Sequence, residues 1–420
     1  MASKQVFEGI KVADFAWMAV GPQATRELAE HGATVVRIES HKRPELMRVN
    51  APYRDGIPGI DRSAFYAAYS TNKYGISLDL TRPKAREVAR KLVAWADIVT
   101  DGYTPGSMAK LGLDYESCRR IKPDIIYLST CQFGQKGPYN TLAGYGQQGA
   151  AYAGFSHLTG WPDCPPVLLP NAYGDYIAPW YLCSVLVAAL NYRRRTGKGL
   201  YLDQAQIEAG VTFWGPGILD YTVNGRTVTR MGNRDPNMSP HGAFPCLGQD
   251  RWVTIAVATD EEWQALCRAM GDPEWASESR FATLLGRKEN EDELEHLIAE
   301  WTKDYAPHQV MAILQAAGVP AGAVQTCEDL FNDPQVKHRR HFVPLEHRVI
   351  GVHHYNMPAY RLSKTPAELR RAAPCLGQDN AYVYKEILGY SEDEVAQFLL
   401  DGVITTERDI PDILKPKKPK

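Results

Sequence analysis

The residue with the clearest chemical potential is an aspartate just ahead of a long apolar segment. Asp175 precedes Pro179, which is well tolerated at the first position of a helix, so we expect its carboxylate at the positive end of a helix that runs to about Arg195. Such a site keeps a carboxylate ionised. A partly desolvated carboxylate can attack a reactive carbonyl such as a thioester. It can also simply accept hydrogen bonds from free N–H groups at the helix start, and the local sequence alone favours this commoner role.

Motifs for several other chemistries are missing from the sequence. The first strand-like run continues into FAWMAVGPQA rather than G-x-G-x-x-G, so we expect no nicotinamide cofactor. TGKG at residues 196–199 lacks the flanking residues of a P-loop, and no G-x-S-x-G elbow of a serine hydrolase is present. Five histidines lie close together in the sequence but lack the spacing of a known metal-binding motif: His338, His341, His347, His353 and His354. We expect them at a surface or interface and predict no metal site.

Composition is typical of a globular protein whose partner is a small molecule or another protein. Apolar residues make up 44% and charged residues 23% of the 420 residues. Lys plus Arg number 47 against 49 for Asp plus Glu, a net charge of −2 that provides no field to attract nucleic acid or an anionic membrane. The eight cysteines include no C-x-x-C pair, which fits reduced thiols.

The sequence also predicts a cytoplasmic location. The N-terminus lacks the apolar stretch and cleavage site of a secretory signal. The longest apolar run, residues 181–190, is too short to span a membrane and is followed by three arginines. We therefore expect this run to be a buried helix.

The first half of the chain alternates strand-like runs with amphipathic helices, which predicts an α/β fold with a parallel sheet. The predicted strands are residues 10–15, 34–38, 98–100, 125–129 and 200–205. Residues 216–237 are rich in Gly, Asn and Arg and indicate a linker. A small α+β domain is expected over 238–330, a further strand- and helix-containing segment over 331–410, and a solvated basic tail over 411–420.

A series of short motifs resembles the class III CoA-transferases, the family of formyl-CoA, crotonobetainyl-CoA and arylsuccinate CoA-transferases. The motifs span nearly the whole chain and keep the family's order. They are GIKVADF followed by VGPQATRELAEHGATVVRIE, Asn72-Lys73 before ISLDL, TDGYTPGSMAKLGLDY, Gly174-Asp175, RRRTGKG at 193–199, GVPAGAV at 318–324, EDLFNDPQV at 328–336 and APCLGQDN at 373–380.

The resemblance implies a fold and a mechanism. The fold would be a large Rossmann-like domain, residues 1–215 completed by 331–410, with the smaller domain inserted between, and two chains would form an interlocked dimer. Asp175 would be the nucleophile: it attacks a donor thioester to give a mixed anhydride, and the released CoA thiolate converts this to an aspartyl-CoA. An acceptor carboxylate then attacks, so no ATP is needed. Backbone N–H groups of residues 239–242 are candidates to hold the oxyanion.

Coenzyme A and its thioesters would be substrates, and the resemblance assigns their contacts. These carry over to Trp17, Met18, Ala19, Val20, Asn72, Lys73, Gly102, Tyr103 and Lys110. Lysines suit the phosphates, and Tyr103 can pack against the pantetheine or adenine.

Three positions depart from the formyl-CoA transferase pattern. That pattern has a basic residue where this chain has Ser40, and a lysine and a tyrosine where it has Cys131 and Phe133. Formyl and oxalyl substrates therefore do not fit. The aromatic loop at residues 161–166 and the DYIAPW segment instead resemble members that act on larger acids such as benzylsuccinate, with succinyl-CoA as donor.

Two alternative functions remain open on the sequence. Acyl-CoA racemases share this fold but pair the aspartate with a histidine in an A-G-H-D segment, whereas this chain reads Ala143-Gly144-Tyr145-Gly146. Tyrosine, with an ordinary pKa near ~10, is a poor base at neutral pH, so the residue favours transfer. The chain could also be a non-catalytic subunit that needs a related partner, and activity of the chain alone would distinguish that case.

Overall fold

The computed structural model describes residues 5–168 and 172–414; the KPKKPK end of the predicted tail lies outside them. The strands are β1 (Lys11–Phe15), β2 (Thr34–Glu39), β3 (Tyr74–Ser77), β4 (Ile98–Asp101), β5 (Ile126–Cys131), β6 (Leu200–Ala205), β7 (His241–Pro245), β8 (Trp252–Ala256), β9 (Ala321–Ala323), β10 (Phe342–His347) and β11 (Gly351–Asn356). The helices are α1 (Val20–Glu30), α2 (Ala64–Ala68), α3 (Pro83–Trp95), α4 (Ser107–Leu111), α5 (Tyr115–Ile121), α6 (Gly146–Tyr152), α7 (Phe155–Leu158), α8 (Tyr173–Thr196), α9 (Gln206–Phe213), α10 (Gly215–Asn224), α11 (Asp260–Ala269), α12 (Leu284–Glu289), α13 (Glu291–Thr302), α14 (Pro307–Ala316), α15 (Cys327–Asn332), α16 (Pro334–His338) and α17 (Glu392–Leu400).

The chain divides into two compact units, and the first is built on a six-stranded parallel sheet. Its described parts are residues 5–155, 172–219 and 337–414. The strand order is β3-β2-β1-β4-β5-β6, with every neighbouring pair parallel. This is the order of a Rossmann-type doubly wound sheet, in which the chain direction across the sheet reverses between β1 and β4.

Apolar side chains cover both faces of this sheet. On one face Val12 and Leu128 pack with Leu28 of α1 and Leu182 of α8. On the other face α3 and α5 cover the alternate residues of the same strands. Burying a Leu or Val side chain contributes roughly 1.5–3 kcal/mol to folding stability. The two apolar layers therefore hold the sheet, and the loops at its edge, in place.

The segment after the second unit returns to protect the edge strand β3. Asp379 accepts a hydrogen bond from Gly75 N at 2.8 Å, and Asn380 accepts one from Ser77 N at 2.9 Å. An uncovered edge strand would expose its backbone N–H groups to pairing with other chains. The return segment therefore completes the first unit.

The second unit comprises Ser156–Leu168 and Asp220–Val336. It holds the antiparallel sheet β7-β8-β9, packed against α11, α13 and α14. Trp263 and Phe281 are fully buried at the centre of its core. Thr259 begins α11 with a reciprocal pair of hydrogen bonds to Glu262, an N-terminal capping box.

The predicted α/β fold with a parallel sheet is confirmed, and the five predicted strands of the first half lie within two residues of their expected bounds. Strand β3 was not predicted. Helix α10 forms across the start of the expected linker 216–237. The second unit contains residues 238–330, expected as the small domain, together with 156–168, 220–237 and 331–336. In the described part of the chain no helix is long and apolar enough to cross a membrane.

Candidate active site

A cavity of about 700 Å³ opens at the C-terminal edge of the six-stranded sheet. Trp17 and Met18 follow β1, Gly102 and Tyr103 follow β4, and all four residues line it. Open α/β sheets bind ligands in the crevice where the strand order reverses, which here lies between β1 and β4. The volume is in the range of small-molecule sites.

Two aromatic side chains, Trp17 and Tyr103, form the part of the cavity wall between β1 and β4. The ring centres of Trp17 and Tyr103 are 5.6 Å apart. Gly102 lies against the same loop, since a Cβ at this position would come within 2.9 Å of Trp17 N. Burial raises the pKa of Tyr103 to about 12, so its phenol stays protonated at neutral pH. The wall can pack against the flat or apolar part of a ligand.

Three cationic side chains line the cavity on the β2 and β4 side. Lys110 on α4 was predicted; Lys42 and Arg43 were not. The Lys42 ammonium lies 2.8 Å from the Asp79 carboxylate, and the Arg43 guanidinium lies 4.9 Å from the centre of the Trp17 ring. Because Lys42 and Arg43 come just after β2, their place at the carboxyl end of a parallel strand was a usable signal. Such cations suit phosphate groups.

Asp175 also lines the cavity, on the side of β5 and β6. It lies within the first turn of α8, so the prediction that the helix starts at Pro179 is wrong. Pro179 instead lies inside the helix and has no N–H to donate to the carbonyl of Asp175, four residues earlier. A carboxylate in the first turn is still favoured by the helix dipole.

Burial raises the pKa of the Asp175 carboxyl to about 6. The expectation that this site keeps the Asp175 carboxylate ionised is therefore only partly met. The carboxyl group is ionised at neutral pH but takes up a proton in mild acid. Loss of water weakens the solvation that makes carboxylates poor nucleophiles. The carboxylate of Asp175 is thus placed to act on a bound electrophile.

A glycine-containing turn lies directly against this carboxylate. A Cβ at Gly146 would fall 2.3 Å from Asp175 Oδ2, so only glycine allows this approach. A Cβ at Gly144 would similarly fall 2.1 Å from the Gln132 side chain. Gln132, which the sequence did not single out, donates from Nε2 to the carbonyl of Tyr145 at 2.8 Å. Its amide therefore holds the turn beside Asp175.

The three positions that depart from the formyl-CoA transferase pattern all lie in the wall of this cavity. Ser40, Cys131 and Phe133 each line it. Tyr145 lines it as well and is largely exposed. The residue that replaces the racemase histidine thus shares a cavity with Asp175.

Lys73 is placed inside the fold instead of in the cavity wall. Its ammonium donates to Asp14 Oδ2 at 3.1 Å, to Pro22 O at 2.8 Å and to Thr25 Oγ1 at 2.8 Å. These contacts occupy all three of its donors. The side chain is fully buried, so the expected contact with a phosphate does not fit this structure.

Three more residues that were expected to contact coenzyme A also have buried side chains. Asn72 Oδ1 accepts hydrogen bonds from Arg370 N and Arg371 N at 2.8 and 3.0 Å, which ties down the return segment. The side chains of Ala19 and Val20 are buried, and Val20 belongs to the core beneath the sheet. They do not line the cavity because the chain turns inward to begin α1.

The five histidines singled out in the sequence lie at different places in the fold. Within residues 5–168 and 172–414, no group of three or more His, Cys, Asp or Glu side chains is arranged to hold a metal ion. His347 is buried rather than exposed, and its Nδ1 accepts hydrogen bonds from Val349 N and Ile350 N at 3.1 Å each. Burial lowers the pKa of His347 to about 4, so the ring is neutral and serves the β10–β11 turn.

Two further candidates belong to the second unit. Ser239, in the segment proposed to hold an oxyanion, is fully buried, and its carbonyl accepts from Arg287 Nε at 2.9 Å. Trp161, in the aromatic loop, packs against Gly232, where a Cβ would fall 2.2 Å from the indole ring. Roles for these residues in binding an acid or an oxyanion stay predictions.

Comparison with known proteins shows the family. The family model described as CoA-transferase family III matches residues 7–380. The chain is 31% identical to the succinyl-CoA–D-citramalate CoA-transferase of Chloroflexus aurantiacus, over 94% of this chain and 98% of that protein. It is 32% identical to the succinate–glutarate CoA-transferase of Agrobacterium fabrum, over 91% of this chain and 96% of that protein.

A solved structure shares both the fold and the sequence pattern. The crystal structure of a CAIB/BAIF family protein from Brucella suis superimposes with a TM-score of 0.84 at 31% identity, covering 91% of this chain and all of that chain. The family predicted from the motifs is confirmed. The chain is an enzyme that belongs to CoA-transferase family III.

Proposed function

We propose that this chain transfers coenzyme A from an acyl-CoA donor to a carboxylic acid, with Asp175 as the covalent nucleophile. The observation that carries the proposal is the partly desolvated Asp175 carboxylate in the wall of a cavity that also presents cations and an aromatic pair. The cations follow β2 and β4, whereas Asp175 lies beside the turn that follows β5. A CoA thioester has matching parts: phosphates at one end and an acyl group at the other.

The chemical steps conserve the thioester. An oxygen of Asp175 attacks the thioester carbonyl, the C–S bond breaks, and CoA leaves as a thiolate. The thiolate attacks the aspartyl carbonyl of the mixed anhydride and releases the donor acid, which leaves an aspartyl-CoA thioester. The acceptor carboxylate then attacks the carbonyl of this thioester, the C–S bond breaks, and a second anhydride forms with release of the CoA thiolate. The thiolate attacks the acceptor's carbonyl in this anhydride and gives the new acyl-CoA. Asp175 regains its carboxylate, and nothing is oxidised or reduced.

The CoA contacts that we propose are a revised form of the expected set. Trp17, Met18, Gly102, Tyr103 and Lys110 are retained because they line the cavity. The nearby cations, Lys42 and Arg43, are added for the phosphates. The side chains of Ala19, Val20, Asn72 and Lys73 are left out because they are buried in the fold.

We propose succinyl-CoA as the donor and an acid larger than formate or oxalate as the acceptor, benzylsuccinate being one candidate. The names of the relatives from Chloroflexus aurantiacus and Agrobacterium fabrum support a succinyl donor or succinate product. Phe133, Leu142 and Tyr145 supply apolar surface in the same cavity as Asp175. Such surface favours an acid with an apolar or aromatic part.

Trapping the covalent intermediate tests this proposal. The full chain is incubated with succinyl-CoA and a panel of other acyl-CoAs, quenched with hydroxylamine or borohydride, and digested for peptide mass spectrometry. We expect modification at Asp175 with the true donor and none in the Asp175→Ala variant. Transfer activity without any adduct at Asp175 would contradict the nucleophile.

The same samples distinguish the alternatives. A chain that exchanges the α-proton of a branched acyl-CoA with solvent and transfers nothing would be a racemase. A chain that is inert alone and active only with a related chain would be a subunit of a heteromer. Tyr145, in place of a histidine on the cavity wall, favours transfer over racemisation.

We also propose the interlocked dimer that the family resemblance implies. Helix α8 exposes apolar side chains that a partner would cover, including Trp180, Tyr181 and Val187, and Leu219 of α10 is similarly exposed. Light scattering during gel filtration is expected to give the mass of two chains, and a single-chain mass would contradict the dimer.

A further inference from the structure

The loop between β1 and α1 has an uncommon backbone. Met18 and Ala19 both have positive φ, at 49° and 32°, although neither is glycine. Residues with a Cβ rarely adopt this region unless the surrounding structure holds them there. Trp17 and Met18 of this loop line the cavity, so whatever fixes the loop also fixes the cavity wall.

Glu45 makes a direct hydrogen bond to this loop. Its Oε1 accepts a hydrogen bond from Met18 N at 2.8 Å, and the side chain is completely buried. Two residues later, Met47 Sδ accepts the N–H of Ala19 at 3.4 Å. The N–H groups of both positive-φ residues are therefore held by one short segment of the chain.

A buried ionic bridge fixes Glu45 in turn. Its second oxygen lies 3.6 Å from Arg37 Nη2, and Arg37 Nη1 donates to Asp14 Oδ1 at 3.3 Å. The same oxygen of Asp14 accepts the N–H of Ala16 at 3.1 Å. Arg37 thus joins two carboxylates, one at each end of the loop, and all three side chains are fully buried.

We propose that Glu45 is a positioning residue for the acyl-CoA site: its carboxyl oxygen holds Met18 in the left-handed conformation that places Trp17 and Met18 in the cavity wall. The inference rests on the proposed function. It assigns to Glu45 a role through the hydrogen-bond acceptor rather than through charge. Burial raises the pKa of Glu45 to about 7, although Arg37 opposes this, which fits a group whose acceptor matters more than its charge.

Two variants of Glu45 distinguish the effect of its hydrogen-bond acceptor from the effect of its charge. Glu45→Gln keeps an oxygen at the same distance from Met18 N but loses the charge. Glu45→Asp keeps the charge but draws the oxygen back by about the length of a C–C bond, ~1.5 Å. We expect Glu45→Asp to weaken binding of CoA about tenfold, measured by calorimetric titration of the full chain, and Glu45→Gln to bind nearly as the wild type does.

Thermal stability should change in the opposite order, because Glu45→Gln removes a charge that faces Arg37. Glu30→Asp is the matched control: Glu30 is equally buried and paired with Arg26, but its carboxylate accepts hydrogen bonds from Arg26 and Thr71 instead of from the loop between β1 and α1, so CoA affinity should be unchanged. In a Met18→Gly background, where glycine adopts positive φ unaided, the cost of Glu45→Asp should shrink to within about threefold.

The outcomes separate this inference from the proposed function. A wild-type chain that binds CoA while Glu45→Asp binds equally well, or while Glu45→Gln is the weaker variant, overturns the positioning role and leaves the transferase proposal intact. A wild-type chain that binds neither CoA nor succinyl-CoA overturns both.

Discussion

Two carboxylates at one edge of the sheet have opposite surroundings: Asp14 is fully buried, whereas Asp175 is partly exposed in the cavity wall. Asp14, at the end of β1, contacts Lys73 and Arg37. Burial alone would raise its pKa, but these cations and two threonine hydroxyls lower it to about 2. Asp175 is desolvated without such compensation, and its pKa rises to about 6. The comparison teaches that cation partners make a buried carboxylate a structural group, whereas desolvation without such partners suits the nucleophilic role that we propose for Asp175.

Replacing each carboxylate by its amide should separate the two regions most strongly. We expect Asp175→Asn to lower the transfer rate by about 10³-fold or more, because the nucleophile is lost, with little change in stability. Asp14→Asn should lower the free energy of unfolding by roughly 3–5 kcal/mol, because Lys73 and Arg37 stay buried without their partner. Steady-state kinetics and urea denaturation of both variants measure this.

The reverse pattern would break the comparison. An Asp175→Asn variant that unfolds easily would make this residue structural. An Asp14→Asn variant as stable as the wild type would show that the ion cluster contributes little to folding.

Gly146→Ala tests whether the close packing of this glycine against the Asp175 carboxylate matters for transfer. The added Cβ would fall 2.3 Å from Asp175 Oδ2, so the carboxylate must move. We expect kcat to fall about 10–100-fold with little change in the KM for acyl-CoA. Gly137→Ala is a suitable control, since nothing lies within 4 Å of a Cβ there, although its positive φ adds some strain. Unchanged kcat in Gly146→Ala would mean that the turn does not position Asp175.

Lowering the pH should protonate Asp175 and Asp14 at different pH values, and so affect activity before stability. Only ionised Asp175 attacks, so kcat/KM should fall about tenfold for each pH unit below about 6 and level off above it. The folded-state pKa of Asp14 is depressed, so its stabilising effect is present above the ordinary value of 3.8 and is lost as pH falls toward about 2. The chain should therefore lose activity between pH 6 and 4 while its circular dichroism is unchanged. An undiminished kcat/KM at pH 5 in a folded chain would contradict the role given to Asp175.

The sequence predicted the sheet better than it predicted the cavity wall. Buried parallel strands are continuous apolar runs, which is why β1, β2 and β5 could be recognised. Strand β3 is only four residues long and contains Gly75, so its signal was too weak. Its edge is completed by side chains some three hundred positions later, which no local pattern reveals.

The site shows the same limit. Asp175, Trp17 and Tyr103, which the motifs singled out, all line the cavity. They placed Lys73 there as well, because a motif fixes the position of a lysine in the chain but not the direction in which its side chain points. Gln132 was missed because its role depends on the Tyr145 carbonyl and on neighbouring glycines, contacts that form only in the folded chain.

The most direct test of the central claim follows an oxygen atom. Turnover with succinyl-CoA and an acceptor acid whose carboxylate carries a heavy oxygen isotope should leave one labelled oxygen on Asp175, because the bridging oxygen of the second anhydride stays with the aspartate when the thiolate takes the acyl group. Each later turnover gives one aspartate oxygen to the departing succinate and takes another from the acceptor. When both carboxylate oxygens of the acceptor are labelled, mass spectrometry of the peptide that contains Asp175 should therefore show one label after a single turnover and two after many turnovers. An unlabelled Asp175 in a chain that has made the new acyl-CoA would contradict covalent catalysis by this residue.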